Sequence, residues 1–257
     1  MLPASRIIFH AELKTLLPAK HQASGVTSSD PARRASIKDI IESLGVPHTE
    51  VGCIIHLGQE VGFEYIPQPG QVLHVHAPKP PVDIKQATLL RPRPLQEPRF
   101  LVDVNVGKLA RLLRMLGLDT AFDPCWEDAY IAELAWEEGR IVLSRDKGLL
   151  KRKKVEFGRL LRSNQPLEQL QEVLHFFGLG NGLRIFTRCL RCNSELQEVD
   201  KQSIQHLLLP KTKKYYQEFC ICPGCSRIYW QGSHLEKMQN LLQRLQLDHT
   251  CCRSPGE

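Results

Sequence analysis

The sequence lacks the long apolar segment that a membrane-spanning helix needs. No hydrophobic run among its 257 residues approaches the roughly 20 residues required. Its first residues, MLPASRIIFHAELK, do not have the basic-then-apolar layout of a secretion signal. A Gly-rich phosphate loop, a nucleophile elbow, a Ser-His-Asp arrangement and internal repeats are also missing. We therefore expect a cytoplasmic globular protein with no membrane partner.

Cysteine, in contrast, is abundant, with nine residues in the chain. Cytoplasmic thiols stay reduced, so these cysteines need a role other than disulfide formation. The formal net charge is +6, which permits a nucleic-acid partner without establishing one.

Proline divides the chain into two parts. Six of the 17 prolines lie between positions 78 and 98, and such a run predicts a stiff, extended linker. The part before it predicts a strand at 6–13, a loop at 19–36, a helix from Ile37 to Gly45 capped by Ser36, and strands near 51–57, 61–65 and 72–76. This order is typical of an α+β β-grasp domain, the ubiquitin-like arrangement.

Strand and helix patterns alternate after the linker. Apolar strands are predicted at 100–102, 120–122 and 141–143, with amphipathic helices from about Gly107, from about Glu127 and over 166–177. This alternation predicts an α/β domain with a parallel sheet.

Two C-x-x-C motifs predict a metal site. Cys189 and Cys192 form the first motif, and Cys222 and Cys225 form the second. Two such turns complete a tetrahedral zinc site, and four sulfur ligands leave no open position, so we assign the zinc a structural role. The spacing favours Cys222 over Cys220 as a ligand.

Acidic residues at strand ends predict a second site. Asp103 and Asp146 each follow a predicted strand, and the carboxyl ends of parallel strands converge where ligands bind. Asp128 is our choice for a third carboxylate, although Glu127, Asp119 and Asp123 compete with it. Such oxygen-rich clusters suit Mg²⁺ or Mn²⁺, which stabilise charge on phosphoryl groups. Asn105 is a candidate to orient a carboxylate.

Basic residues near these acids form a candidate substrate track. Lys108, Arg111 and Arg114 recur on the helix face opposite its leucines, and the run Lys151-Arg152-Lys153-Lys154 follows Asp146. The alternative is a solvated face. Lys211, Lys213 and Lys214 also adjoin Tyr215 and Tyr216, a mixture that single-stranded nucleic acids use.

The motifs together resemble those of the Mut-seven C-terminal RNase family. The resemblance lies in FLVDVNVGKLARLLRMLGLDT, EDAYIAELAWEEGRIVLSRDKGLLKR, the C-x-x-C motif and the CPGC segment. The N-terminal segments FHAELKTLLP and IKDIIESLGVPHTEVGCI resemble the ubiquitin-like domain often fused ahead of that family. The resemblance implies a PIN-like fold with a zinc ribbon, and it places Asp103, Asp128 and Asp146 at the family's acidic positions. The resemblance leads us to expect a hydrophobic residue at position 105 and threonine at position 144, where this chain has Asn105 and Ser144.

This resemblance completes the prediction of domains and function. We expect a ubiquitin-like domain at 1–78, a linker at 79–98, a PIN-like domain at 99–182, and a zinc ribbon with a C-terminal helix at 183–250. The predicted function is metal-dependent hydrolysis of RNA, and the alternative is a non-catalytic zinc-ribbon RNA-binding adaptor. The ubiquitin-like domain is expected to dock a protein partner, since its last strand continues into the chain without the free Gly-Gly terminus of a sulfur carrier. The candidate substrate-binding residues are Lys108, Arg111, Arg114, Arg145, Lys151 and Arg152.

Overall fold

A computed structural model describes residues 3–29, 34–230 and 249–251. The predicted C-terminal helix beyond Ser233 lies outside these residues. The chain divides into two compact units, one made of the described residues up to Val106 with Phe122–Ser163, and the other of Gly107–Ala121 with the described residues from Asn164 onward. No described helix has both the length and the apolar character needed to cross a membrane.

The first unit begins with a mixed five-stranded sheet. The elements are β1 (Ser5–Phe9), α1 (Ala19–Gln22), β2 (Val26–Ser29), α2 (Ile37–Ser43), β3 (Cys53–His56), β4 (Gln59–Glu60) and β5 (Val72–His76). The strand order is β2-β1-β5-β3-β4, with β1 and β5 parallel and the other pairs antiparallel. The Ser36 hydroxyl caps α2 by accepting a hydrogen bond from the Asp39 N–H at 3.1 Å, as the sequence predicts.

Three expectations for this sheet are wrong. The segment predicted as a strand at 61–65 forms no strand, because β4 is limited to Gln59–Glu60 and a turn follows at 63–64. The segment predicted as a loop at 19–36 contains α1 and β2, and β2 pairs with β1 along its whole length. The predicted first strand ends at Phe9, after which Ala11–Leu16 forms a 3₁₀ helix. Polar and small residues weaken the local signal of β2, so its pairing with a distant strand decides its structure.

The same unit also holds three neighbouring strands that pair in parallel, which confirms the predicted parallel arrangement. These strands are β6 (Phe100–Val102), β8 (Ile141–Ser144) and β9 (Gly158–Leu160), in the order β6-β8-β9. Helix α4 (Asp128–Glu138) precedes β8 and ends at Gly139, whose left-handed φ of 61° stops the helix. The short α5 (Lys147–Leu150) follows β8. All residues of β6, β8 and β9 are buried.

The ubiquitin-like part packs directly on the parallel sheet. Its buried Glu50 carboxylate lies 2.8 Å from the Arg159 guanidinium and accepts a hydrogen bond from the Leu160 N–H, also at 2.8 Å. Gly158 permits the close approach, because a Cβ there would lie 2.8 Å from Leu150 and 3.2 Å from Thr49.

The proline-rich segment is therefore more than an extended spacer. The Arg91 guanidinium donates hydrogen bonds to the carbonyls of Val51, Thr49 and Glu156 at 3.0, 2.8 and 3.3 Å. Burial lowers the pKa of Arg91 to about 10. A cation with this many carbonyl partners anchors the segment to both parts that it connects.

The second unit combines helices with a small antiparallel sheet. Helix α3 (Gly107–Met115) packs against α6 (Pro166–Phe177), which begins with proline and ends at the left-handed Gly178, as its sequence predicts. The remaining elements are β7 (Thr120–Ala121), β10 (Leu183–Ile185), β11 (Gln197–Val199), α7 (Lys201–Ile204), α8 (Pro210–Tyr215), β12 (Phe219–Ile221), β13 (Ile228–Trp230) and β14 (His249–Cys251). Strands β11, β12 and β13 form the antiparallel sheet. Strand β14 pairs with β10.

Candidate functional site

Asp103 lies at the carboxyl end of β6 with only 5% of its surface exposed. Its Oδ2 accepts two hydrogen bonds, from the Ser144 hydroxyl at 2.6 Å and from the Asn105 amide at 2.5 Å. No described residue donates a hydrogen bond to the Oδ1 of Asp103. One carboxylate oxygen is therefore held by the fold, and the other is available to a ligand.

Ser144 connects Asp103 to Asp146 across neighbouring strands. Its hydroxyl oxygen, which donates to Asp103, accepts a hydrogen bond from the Asp146 N–H at 2.8 Å. Asn105 completes the link, because its Oδ1 accepts a hydrogen bond from the Arg145 N–H at 3.1 Å. This network joins the carboxyl ends of β6 and β8, and it confirms that Asn105 orients a carboxylate.

Asp146 is exposed and also caps a helix. Its Oδ1 accepts a hydrogen bond from the Gly148 N–H at 2.6 Å in the first turn of α5. This bond fixes the direction of the carboxylate. Asp103 and Asp146 thus stand at adjacent strand ends, each with one oxygen oriented by the backbone or by a neighbouring side chain.

Asp128 is arranged differently from these two acids. It begins α4, its side chain is 41% exposed, and its Oδ2 lies 3.8 Å from the Arg152 guanidinium. Among the described residues, only four cysteines form a group of three or more metal-ligating side chains with their ligand atoms within 4.8 Å. Asp103, Asp128 and Asp146 do not form such a group, so Asp128 remains a prediction from the sequence.

Two of the rival acids have structural partners. Asp123 accepts a hydrogen bond from the Cys125 N–H at 2.9 Å, which closes a turn. Asp119 accepts one from the Asn193 amide, also at 2.9 Å, beside the first C-x-x-C motif. Glu127 precedes α4 and makes no capping hydrogen bond.

Arg114 is wrongly predicted as part of an exposed basic face. Lys108 and Arg111 are exposed, but Arg114 is 3% exposed. Its guanidinium donates to the carbonyls of Thr120 and Arg191 at 2.9 and 2.7 Å. These bonds account for the burial of Arg114, because a guanidinium is buried only where its N–H groups find acceptors.

The basic run after β8 is also partly engaged within the protein. The Lys151 ammonium donates to the Glu42 carbonyl at 2.7 Å, at the end of α2. Arg152 faces Asp128, and Lys154 pairs with Glu133. Arg145 is exposed beside Asp146. Of the basic candidates in this unit, Arg145 is therefore the most accessible next to the acids.

The four predicted cysteine ligands come together in the second unit. The sulfurs of Cys189, Cys192, Cys222 and Cys225 all lie within 4.8 Å of one another, so they could hold one metal ion. Cys220, which lies in β12 opposite Tyr229, is not part of this group. The preference for Cys222 over Cys220 is thereby confirmed.

Both cysteine pairs are presented by the same kind of turn. The Asn193 N–H donates to the Cys189 carbonyl at 3.0 Å, and the Ser226 N–H donates to the Cys222 carbonyl at 2.8 Å. Asn193 and Ser226 each adopt a left-handed conformation, with φ of 72° and 56°. The two motifs are therefore local copies of one geometry that aims both sulfurs of each pair at a common point.

Hydrogen bonds favour ionised sulfur at part of this centre. Burial would raise the pKa of Cys192, but bonds from Ser194 and the neighbouring cysteines outweigh it and lower that pKa to about 6. The Tyr229 hydroxyl lies 3.1 Å from the Cys189 sulfur and also accepts a hydrogen bond from the Leu190 N–H. Thiolate is the form of cysteine that binds metals.

Sequence reasoning missed the residues that join the two parts of the first unit. Glu50 and Arg159 are charged residues within segments that otherwise read as a turn and a loop. Their only sequence signal is charge among apolar neighbours, and pairing across 109 positions is not visible in local patterns.

Comparisons with known proteins agree with the resemblance found in the motifs. The family model described as the Mut7-C RNAse domain matches residues 98–242, and the model described as Mut7-C ubiquitin matches residues 3–83. No curated protein and no solved structure matches the chain. Since the first match covers more than half of the 257 residues, the chain belongs to the Mut7-C RNAse domain family and carries a Mut7-C ubiquitin-like domain ahead of it.

Proposed function

We propose that the protein is a ribonuclease that hydrolyses RNA with the help of Mg²⁺ or Mn²⁺ in a PIN-like domain. Asp103 carries this proposal, because a carboxylate buried at a strand end, with one oxygen held by two donors and the other without a described donor, is suited to bind a cation. Asp146 and Asp128 are the further ligands that we propose. Membership of an RNase domain family supports RNA as the substrate.

The donor set at the strand ends fits a hard divalent cation, which prefers carboxylate oxygens and water. Such an ion, when bound, would stabilise charge on the phosphoryl group and lower the pKa of water. The chain's own residues orient the ligands: Ser144 and Asn105 hold Asp103, and the first turn of α5 holds Asp146. Arg145 is placed beside the acids to bind a phosphate of the RNA.

Zinc at the four cysteines is the second part of the proposal. Four sulfur ligands are typical of structural zinc sites, and the two matching turns support the assignment. A site of this kind needs thiols that stay reduced, which fits the cytoplasm. The zinc ribbon would then stabilise the second unit without contributing to hydrolysis.

Cleavage of single-stranded RNA by the full chain tests the nuclease proposal. With Mn²⁺ present, Asp103→Asn and Asp146→Asn should each lower the rate by about 100-fold or more, because each removes a charged ligand without changing side-chain volume. Asparagine keeps the helix cap at position 146, so the fold should be retained. Asp123→Asn is the matched control, since Asp123 only closes a turn. An Asp146→Asn protein as fast as the wild type would refute the assignment.

A non-catalytic RNA-binding adaptor is the second candidate function. The pairing of Asp128 with Arg152 at 3.8 Å favours it, because this acid then serves as a salt-bridge partner instead of a metal ligand. The adaptor would bind RNA and show no cleavage with either metal. We further propose that the ubiquitin-like domain offers its exposed surface to a protein partner.

A further inference from the structure

The segment between the two cysteine pairs contributes neither to the acidic site nor to the four-sulfur centre. Residues 201–217 contain four lysines and no acidic residue. The Lys201 ammonium donates to the Gln217 side-chain oxygen at 2.8 Å, which ties the two ends of the segment together. Three lysines remain for another role.

These lysines are exposed together on and around helix α8. Lys211, Lys214 and Tyr215 are spaced three and four residues apart, so they share one face of the helix, while Thr212 is buried on the other side. Lys213 is exposed as well. The Lys214 ammonium lies 5.4 Å from the centre of the Tyr215 ring, so positive charge and an aromatic surface adjoin each other.

Aromatic rings next to the helix are exposed, although the fold supports them. Tyr215 is 67% exposed and Trp230 is 41% exposed. The Trp230 ring lies 6.3 Å from the Tyr216 ring and 6.5 Å from the ring of the buried Phe219. Because Phe219 and Trp230 are paired residues of β12 and β13, the sheet holds Trp230 in place.

We propose that this basic-aromatic surface (Lys211, Lys213, Lys214, Tyr215, Tyr216 and Trp230) binds single-stranded RNA. Bases would stack on the rings while the ammonium groups contact phosphates, the combination by which proteins bind single strands without sequence preference. Paired bases in a duplex are not free to stack on side chains, so the surface selects unpaired RNA. The choice of RNA rests on the proposed function, and the positive charge complements the phosphates.

Binding of a labelled oligouridylate of about 12 nucleotides to full-length Asp146→Asn protein tests the stacking contacts. Trp230→Leu and Tyr215→Leu should each raise Kd by roughly 5- to 150-fold, the effect of losing one stacked base, whereas Tyr215→Phe should keep the affinity. Trp136→Leu is the matched control, because Trp136 is 40% exposed and lies outside the surface.

Salt dependence tests the phosphate contacts separately. Replacing Lys211, Lys213 and Lys214 by Gln should reduce the log–log salt slope of binding by about 2, since each single-strand phosphate contact contributes about 0.7. An unchanged slope would overturn the role of these lysines.

Two further outcomes would overturn the stacking contacts. One is Kd values for Trp230→Leu and Tyr215→Leu equal to that of the Asp146→Asn parent. The other is a loss of affinity for duplex RNA in these two variants that equals their loss of affinity for the single strand. The proposed nuclease function is tested apart from this binding, because it is judged from cleavage of RNA by the wild type and the aspartate variants with Mn²⁺ or Mg²⁺.

Discussion

The Glu50 carboxylate lies 2.8 Å from the Arg159 guanidinium and joins the ubiquitin-like part to the parallel sheet of the Mut7-C RNAse domain. The Glu50 side chain is fully buried, and Arg162 approaches the same carboxylate at 3.5 Å. Burial raises the pKa of Glu50, although Arg159 opposes the shift. A buried ion pair between two sequence domains means that the ubiquitin-like part is built into the core of this unit.

Removing Glu50 should therefore destabilise the protein strongly. Glu50→Ala removes the closest carboxylate from the buried Arg159 guanidinium, so we expect a loss of about 3–5 kcal/mol in the free energy of unfolding, measured with urea. Glu12→Ala is the control, because Glu12 pairs with the same Arg159 at 3.5 Å but is 46% exposed, and it should cost at most about 1 kcal/mol. Equal losses in the two variants would contradict the assignment.

Ser144 should act as a positioning residue for the acidic site. Ser144→Ala removes the hydroxyl that connects Asp103 to Asp146, so RNA cleavage with Mn²⁺ should fall by about 10- to 100-fold. Ser144→Thr keeps the hydroxyl and should retain most of the activity. If alanine and threonine variants cleave equally fast, orientation by this hydroxyl is not needed.

The metal centre should depend on Cys222 and not on Cys220. Cys222→Ser should lose the bound zinc and unfold the antiparallel sheet, because metal binding stabilises such folds directly. Cys220→Ser should keep one zinc per chain. Elemental analysis of freshly purified protein measures the zinc content of both variants. A zinc-free wild type would disprove the site.

Arg114 and Arg111 should differ although they are one turn apart. Arg114→Ala removes the donor from the buried Thr120 carbonyl and from the Arg191 carbonyl, and it should cost at least about 2 kcal/mol of stability. Arg111→Ala should change stability by less than about 0.5 kcal/mol and reduce the salt slope of RNA binding by about 0.7. A larger loss of stability in Arg111→Ala than in Arg114→Ala would show that Arg114 is not a structural residue.

His10 and His76, which lie where β1 and β5 end, should make stability depend on pH. The His10 and His76 rings stack 4.2 Å apart, and the His10 Nε2 lies 2.9 Å from the His74 Nδ1. Burial, followed by the neighbouring histidines and lysines, lowers the pKa of His10 and His76. The unfolded chain then binds more protons as the pH falls below about 6.5, so folding loses stability in that range.

Substitution of one ring tests this pH dependence. The stability of His76→Gln relative to the wild type should rise as the pH falls from about 7.5 to about 5.5. The raised pKa of Glu50 changes stability with pH in the opposite direction. Both proteins contain Glu50, so its contribution cancels in this comparison. His175→Gln, at an exposed position of α6, is the control, and a pH-independent difference for His76→Gln would contradict the prediction.

Local patterns were enough for helices α2, α3, α4 and α6, for strands β6 and β8, and for the four clustered cysteines. The Ser36 cap, the Pro166 start and Gly178 end of α6, and the two C-x-x-C turns depend on residues within a few positions of each other, so the sequence shows them directly. The acids at the ends of β6 and β8 could also be predicted, since a parallel sheet brings those ends to one edge.

The tertiary structure decided which charged side chains are buried and which remain exposed. From the sequence alone, Arg114 is equivalent to Lys108 and Arg111, but in the structure its guanidinium donates hydrogen bonds to backbone carbonyls. The sequence also predicts an extended linker at 79–98, but Arg91 in this segment donates a hydrogen bond to the Thr49 carbonyl. Likewise, Asp128 faces Arg152 and not the other two acids. Such partners come from segments far apart in the chain, and the need to satisfy buried polar groups selects them only after the chain has packed.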